Sequence, residues 1–362
     1  KPDRIIITGD ILHNKGIGMS AELIQMVSWF FRECSFISPL IVLIGNHDAN
    51  ISNTDRLDGL SPIISALSIP DIWYFKESGN YNDIYDPDIV YCVWSCLEEQ
   101  KDPQLKKYKE KYDPDNKKTY ITLFHGIIKG LKTETYTFSD GKEIEDFHGS
   151  DLILCGDIHM KQDFKLKDQT PGIMVGSTIQ QNFGEQVEYH GYAAFDIKNK
   201  DNISYEFKEL KNDYGFYTIY LDGFDMLNNN PNESKLNISK KPNIRVIWKD
   251  QSNSYSNIKV QEIKSFYQNK YKELTSISVI FESTDKTNLI NVKEDKINNI
   301  SNYEIQKELM LDFLLNSGQL DDEEVEIEVD DNLSDNEIYD EHNKVIKPNL
   351  DLKLKPITFD DL

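Results

Sequence analysis

From Lys1 to about Asn199, short runs of Ile, Val, Leu and aromatic residues recur between polar stretches: RIIITGD, LIVLIGNHD, IVYCVWSC, YITLFHG, DLILCGDIH, GIMVGS and YAAFDI. Their length and β-branched content predict buried strands and not helices. Between the first two, Ser20 to Cys34 changes period and places Leu23, Met26, Val27, Phe30 and Phe31 on one helical face. A strand, an amphipathic helix and a second strand make a β-α-β unit, so the first part of the chain reads as layered α/β.

A turn-rich stretch, LNNNPNESKLNISKKPN, then separates this part from a second β-α-β pattern: the strand NIRVIW, a helix around Ile258 to Tyr271 and the strand SISVIF. That pattern predicts a small separate domain. After an Asn- and Lys-rich segment, Ser301 and Glu304 have the spacing of a capping box, in which each side chain bonds the other's backbone amide. Tyr303, Leu309, Met310, Phe313 and Leu314 follow as an apolar helical stripe, and Gly318 suits its stop. In the closing LDLKLKPITFDDL, Leu350, Leu352 and Leu354 alternate with charge and read as a half-buried strand.

Composition changes this picture in four ways. A length of 362 residues suits one domain plus a smaller one. The formal charge of −22 is unfavourable to a nucleic-acid ligand, yet twelve acidic residues and no lysine or arginine lie between Asp321 and Glu341. More than half of the imbalance therefore belongs to one block, which reads as a solvated linker. Cys34, Cys92, Cys96 and Cys155 lack metal-type spacing and fit free thiols in a reducing compartment. No apolar run approaches the roughly eighteen residues that cross a bilayer, and no signal segment opens the chain. The expected location is the cytoplasm, or the host cell for a virus-encoded protein, without secretion.

The chemistry sits where strands end. GDILH (Gly9 to His13), GNHD (Gly45 to Asp48), FHG (Phe124 to Gly126) and GDIH (Gly156 to His159) each place potential metal ligands just past the last apolar residue. Sites in open α/β sheets lie at these carboxyl ends, where loops converge. Asp10, Asn46, His125, Asp157 and His159 offer the carboxylate, carbonyl and imidazole donors that divalent ions such as Mn²⁺ accept. Two such ions about 3.5–4 Å apart stabilise both the attacking and the leaving oxygen of an in-line phosphoryl displacement. The preceding glycines allow tight turns and close backbone approach.

In order and spacing these four motifs resemble motifs two to five of the calcineurin-like metallophosphoesterases. The resemblance implies a four-layer sandwich of mixed sheets flanked by helices, with two divalent ions, most often Mn²⁺. It implies Asp10 as the bridging carboxylate, Asn46, His125 and Asp157 as ligands of the second ion, and His159 as a ligand of the first. His47 becomes the group that protonates the leaving oxygen or stabilises charge on the phosphate, Asp48 the carboxylate that orients its ring, and His13 a substrate-positioning residue. Two features depart from the family. Asp157 stands where the first histidine of G-H-x-H is expected, and the D-x-H motif that should precede KPDRIIITGD is missing, which implies an amino-terminal truncation.

Within that superfamily, GSTIQQNFGE (Gly176 to Glu185) followed by HGYAAFDI resembles SbcD-type DNA-repair nucleases. The implied organisation is a nuclease domain over 1–200, a small α+β capping domain contacting DNA over 201–285, and a linker with an ATPase-docking helix over 286–320. An acidic disordered linker over 321–345 and, at 346–362, the possible first strand of a fused SbcC-type ATPase head complete it. The implied activity is Mn²⁺-dependent exonuclease and single-strand endonuclease action on DNA in break repair or recombination. DNA, an SbcC-type ATPase and a second copy of the chain would be the partners, with no membrane. A phosphatase or phosphodiesterase of other substrates, and a non-catalytic DNA-tethering chain, are the rival readings.

Overall fold

The computed structural model describes residues 1–283 apart from 14–18, 52, 54–55, 99–100 and 251–255. A first sheet is wholly parallel: β1 (Ile5–Ile7), β2 (Leu40–Leu43) and β3 (Ile72–Phe75), in that order. Helix α1 (Ala21–Ile37) connects β1 to β2, and α2 (Ser61–Leu67) connects β2 to β3. Ser20 starts α1 by accepting the Leu23 amide at 3.2 Å. Buried Asp58 does the same for α2, receiving the amides of Leu60 and Ser61.

The second sheet contains β4 (Gly79–Asn82), β5 (Ile89–Trp94), β6 (Thr119–His125), β7 (Leu152–Gly156), β8 (Gln162–Lys165) and β9 (Pro171–Met174). Its order is β4-β5-β6-β7-β9-β8, parallel inside and antiparallel at both edges, and helix α3 (Leu105–Tyr112) lies on the crossover from β5 to β6. Alternation along β5 sends Tyr91 and Val93 into one core and Val90, Cys92 and Trp94 into another. A strand covered on both faces has no polar side, which is why its sequence is a continuous apolar run.

The Tyr91 face packs against Ile41 and Leu43 of β2, so the two sheets lie face to face. On the far side of the first sheet, Leu40 and Val42 meet Val27 and Phe31 of α1 and Ile63 of α2. On the far side of the second sheet, Leu105 of α3 and Phe147 join Trp94 and Phe124. Helix, sheet, sheet, helix is the four-layer α/β sandwich expected. Arg4, just before β1, and Asp83, just after β4, clasp the sheets together with Nε to Oδ2 at 2.7 Å.

A hairpin of β10 (Gly191–Asn199) and β11 (Asn202–Glu209) then adds Phe195, Ile197 and Ile203 to the core between the sheets. The boundary expected between residues 200 and 201 therefore falls in the turn of this hairpin, and the chain leaves the sandwich core only after β11. Beyond it, β12 (Phe216–Asp222), β13 (Asn243–Asp250) and β14 (Ser276–Ser283) form a parallel sheet in that order, with α4 (Asn257–Lys270) between the last two. Trp248, Ile263 and Tyr267 lie in its separate core. The strand-helix-strand pattern is there, and β12 extends it by a strand that the sequence pattern did not single out.

Helix α1 differs from its expected face. Val27 and Phe31 are buried and Leu23 half-buried, while Met26 and Phe30 are exposed. A helix lying on a three-stranded sheet buries one narrow row, so apolar residues on the next row stay outside it. None of the four cysteines is in a disulfide, and Cys92, Cys96 and Cys155 are buried. The helix expected from Ser301 to Gly318, the acidic linker and the final strand lie outside the described residues.

Candidate metal centre

Strand ends of both sheets open on the same place. β1 runs into Gly9 and Asp10, β2 into Gly45 to Asp48, β6 ends on His125, and β7 ends on Gly156 just before Asp157. Because β6 and β7 are parallel neighbours with His125 opposite Gly156, their last residues necessarily stand side by side.

His125 is the best-buried donor, at 1 % exposure. Its Nδ1 lies 2.6 Å from the Thr8 carbonyl oxygen, which can only accept, so Nδ1 carries the proton. Nε2 is buried without a hydrogen-bond partner, 3.3 Å from Asp10 Oδ1 and 3.7 Å from Asp157 Oδ1. Donor atoms of Asp10, His125 and Asp157 all lie within 4.8 Å of one another. Asn46 completes the group: Nδ2 donates to Asp157 Oδ1 at 3.2 Å, and its Oδ1 is buried and unpaired. Buried polar atoms are ordinarily paired, and two orphan atoms on side chains that touch this pair of carboxylates fit a cation site.

The backbone is shaped for this convergence. Asp10 has φ 55° and Asp157 φ 100°, the latter a strained value for a residue with a Cβ. Glycines keep the walls thin: a Cβ on Gly9 would overlap the His125 ring, and one on Gly45 would overlap Asp10.

Asp48 has a different place from the one its sequence neighbour suggests. Its Oδ2 accepts the amides of Asp10 and Gly45, and its Oδ1 that of Leu12, each at 2.9 Å. It thus staples the two metal-motif loops together, and the His47 ring is held by another group. His47 Nδ1 meets the His13 carbonyl oxygen at 2.6 Å, and the His13 and His47 rings stack with planes 4° apart. The His47 amide in turn donates to Asp10 Oδ1 at 2.8 Å.

His159 stands outside the group of three donors, and its Nδ1 pairs with Glu185 Oε1 at 2.8 Å. Sequence reading did not single out Glu185 as a functional residue. The available signal was its place at the end of GSTIQQNFGE.

Charge at the centre is strongly coupled. Burial works to raise the Asp10 carboxyl, but the adjacent His125 imidazole and the His47 amide outweigh it and hold Asp10 below the usual range. Burial and the neighbouring Asp10 charge push Asp157 up against the pull of His125. Burial also opposes protonation of His125, and Asp10 and the Thr8 carbonyl overcome it and raise that imidazole. Burial carries Asp48 up to about 6, against the amides it accepts. Asp10 and Asp157 oppose each other's charge, and a bound divalent cation would relieve that repulsion.

Residues 1–161 match the family model for calcineurin-like phosphoesterases. Over 321 residues the chain is 33% identical to an uncharacterized protein of Acanthamoeba polyphaga mimivirus, an alignment that covers 87% of this chain and 22% of that protein. Over 249 residues it is 22% identical to the SbcD subunit of the nuclease SbcCD from Staphylococcus epidermidis, covering 58% of this chain and 60% of that relative. The chain thus spans about a fifth of the mimivirus protein and three fifths of the staphylococcal one.

Proposed function

We propose that this chain, whose residues 1–161 match the calcineurin-like phosphoesterase family, is a metal-dependent nuclease subunit that hydrolyses DNA phosphodiesters. The observation that carries the metal-dependent part is the cluster of Asp10, His125 and Asp157, in which His125 Nε2 is a buried orphan, with Asn46, whose Oδ1 is also unpaired, bonded to Asp157. Asp10, Asn46, His125 and Asp157 would hold one ion, and Asp10 and His159 would contribute to a second. When bound, divalent ions supply charge stabilisation to the attacking and leaving oxygens. Mn²⁺ suits this mixture of hard oxygen and imidazole donors.

The remaining work belongs to the side chains. With Nδ1 donating to the His13 carbonyl, His47 keeps Nε2 free to hold a proton and deliver it to the leaving oxygen. His13 fixes the orientation of that ring through its carbonyl and its stacking. Asp48 sets the separation of the loops that carry Asp10 and Asn46.

DNA as substrate and an SbcC-type ATPase as partner are supported by the likeness to the staphylococcal nuclease component. In this reading the β12-β13-β14 unit is the capping domain. A homodimer finds support in α1, where Met26, Trp29, Phe30, Phe36 and Ile37 are exposed on one side of the helix. No helix among the described residues is long and apolar enough to cross a membrane. The mimivirus relative agrees with a virus-encoded protein acting in a host cell.

The test is cleavage of linear duplex and of circular single-stranded DNA with Mn²⁺. Shortened duplexes and linearised single-stranded circles are expected, both abolished by EDTA. Hydrolysis of a small phosphate ester with both DNAs left intact would overturn the nuclease reading.

A further inference from the structure

We infer that Glu185 is the positioning residue of His159, holding that imidazole in the tautomer and orientation a metal ligand needs. This rests on the metal-dependent reading above and adds a residue that the motifs do not contain. Glu185 is far along the chain from His159, yet its Oε1 lies 2.8 Å from His159 Nδ1, and its side chain is only 5% exposed against 37% for the histidine. An ordinary surface ion pair is floppy and solvated on both sides, whereas here the carboxylate is buried and fully engaged. The same Oε1 accepts Asn182 Nδ2 at 2.6 Å, and Oε2 accepts the Gln181 amide at 2.8 Å, so both oxygens are committed.

The loop that carries Glu185 is itself fixed at several points. Ser177 donates its amide to the His159 carbonyl at 3.0 Å, and the Ser177 hydroxyl pairs with buried His190 at 2.9 Å. Gln180, 2% exposed, sends Nε2 to the Glu185 carbonyl at 2.9 Å and to the Phe216 carbonyl at 3.0 Å, while its Oε1 accepts the Phe216 amide at 2.8 Å. Glu185 is therefore held from behind by a buried amide that also grips the first residue of β12.

A carboxylate on Nδ1 fixes the proton there, leaves Nε2 as the donating lone pair and makes that lone pair more basic. Such partners of metal-bound histidines typically affect metal affinity by about 10–100-fold. The segment Gly176 to Glu185 thus acquires a physical reason for its composition: Gly176, at φ 81°, admits the backbone close to the His159 carbonyl, and Gln180 and Glu185 lock the loop at each end.

The experiment is calorimetric titration of the metal-free protein with Mn²⁺, for wild type, His159→Ala, Glu185→Gln and Glu185→Asp, each with its metal-free melting temperature. His159→Ala identifies which binding step uses His159. Glu185→Gln should weaken that step by about 10–100-fold and leave the other step and the metal-free melting temperature unchanged. Glu185→Asp, which restores the charge on a shorter arm, should recover part of the loss. Wild-type affinity in Glu185→Gln, where His159→Ala loses a step, would overturn this inference alone. Equal weakening of both steps with a lower metal-free melting temperature would also overturn it, by showing a structural role. Absence of Mn²⁺ binding in the wild type would overturn the metal-dependent reading, and this inference with it.

Discussion

An imidazole whose Nδ1 is committed to a carbonyl has one useful nitrogen left, and His47 is in that position. Its amide supports Asp10, but its ring is not part of the donor group, so proton transfer and metal binding should separate. His47→Ala is expected to lower kcat by about 10²–10⁴-fold, the usual range for a lost general acid. Mn²⁺ stoichiometry measured on the same preparation should stay at the wild-type value. Metal lost together with activity would contradict the assigned role. His125 is the opposite case. With Nδ1 bound to Thr8, its Nε2, buried against two carboxylates, is the one nitrogen left to act as a ligand in the proposed centre.

At the scale of elements, the sandwich depends on contacts between segments distant in the chain. Arg4 ties the start of β1 to the end of β4 through Asp83, whose side chain is fully buried and also accepts the Tyr91 hydroxyl at 2.8 Å. Burial favours the neutral acid, but Arg4, Tyr91 and two backbone amides outweigh it and hold Asp83 below the ordinary carboxylate range. A depressed folded value means that the stabilisation is complete above the unfolded value of about 3.9 and is lost as pH falls through the folded one. Asp83→Asn leaves Arg4 unpaired and should cost about 3 kcal/mol at pH 7. In urea unfolding, the gap between variant and wild type should narrow as pH drops below about 4. A gap independent of pH would show that shape and not charge matters at this position. Helix α1 makes a second case at this scale, because its buried row is Val27 and Phe31 while Trp29 and Phe36 point elsewhere and are exposed. Trp29→Glu with Phe36→Glu should turn a dimer into a monomer by light scattering without lowering the melting temperature of the monomer. A wild-type protein that is already monomeric would remove the dimer from the proposal.

At the scale of the whole molecule, a charge of −22 opposes DNA, and twelve of the acidic residues lie between Asp321 and Glu341. Deleting residues 321–345 should therefore tighten DNA binding several-fold at low salt, with the gain shrinking as ionic strength rises and the Debye length falls from about 30 Å at 0.01 M to about 8 Å at 0.15 M. Fluorescence anisotropy across a salt series measures this, and a gain that did not depend on salt would point to a cause other than charge.

The sequence by itself determined what depends on neighbours along the chain. Runs such as IVYCVW and YITLFH are strands because they are rich in β-branched and apolar residues and bounded by turn residues, and Asp10, Asn46, His125 and Asp157 lie at or just past the ends of such runs. The tertiary structure decided what depends on which strands become neighbours. The order β4-β5-β6-β7-β9-β8 and the packing of β2 on the second sheet bring those four residues to one centre, a result that no local pattern encodes. The same long-range packing sent Asp48 to the amides of Asp10, Leu12 and Gly45 instead of the adjacent His47 ring, because a buried carboxylate is stabilised most where several donors converge. It also placed Glu185 behind His159, on a loop that Gln180 ties to the distant Phe216 backbone.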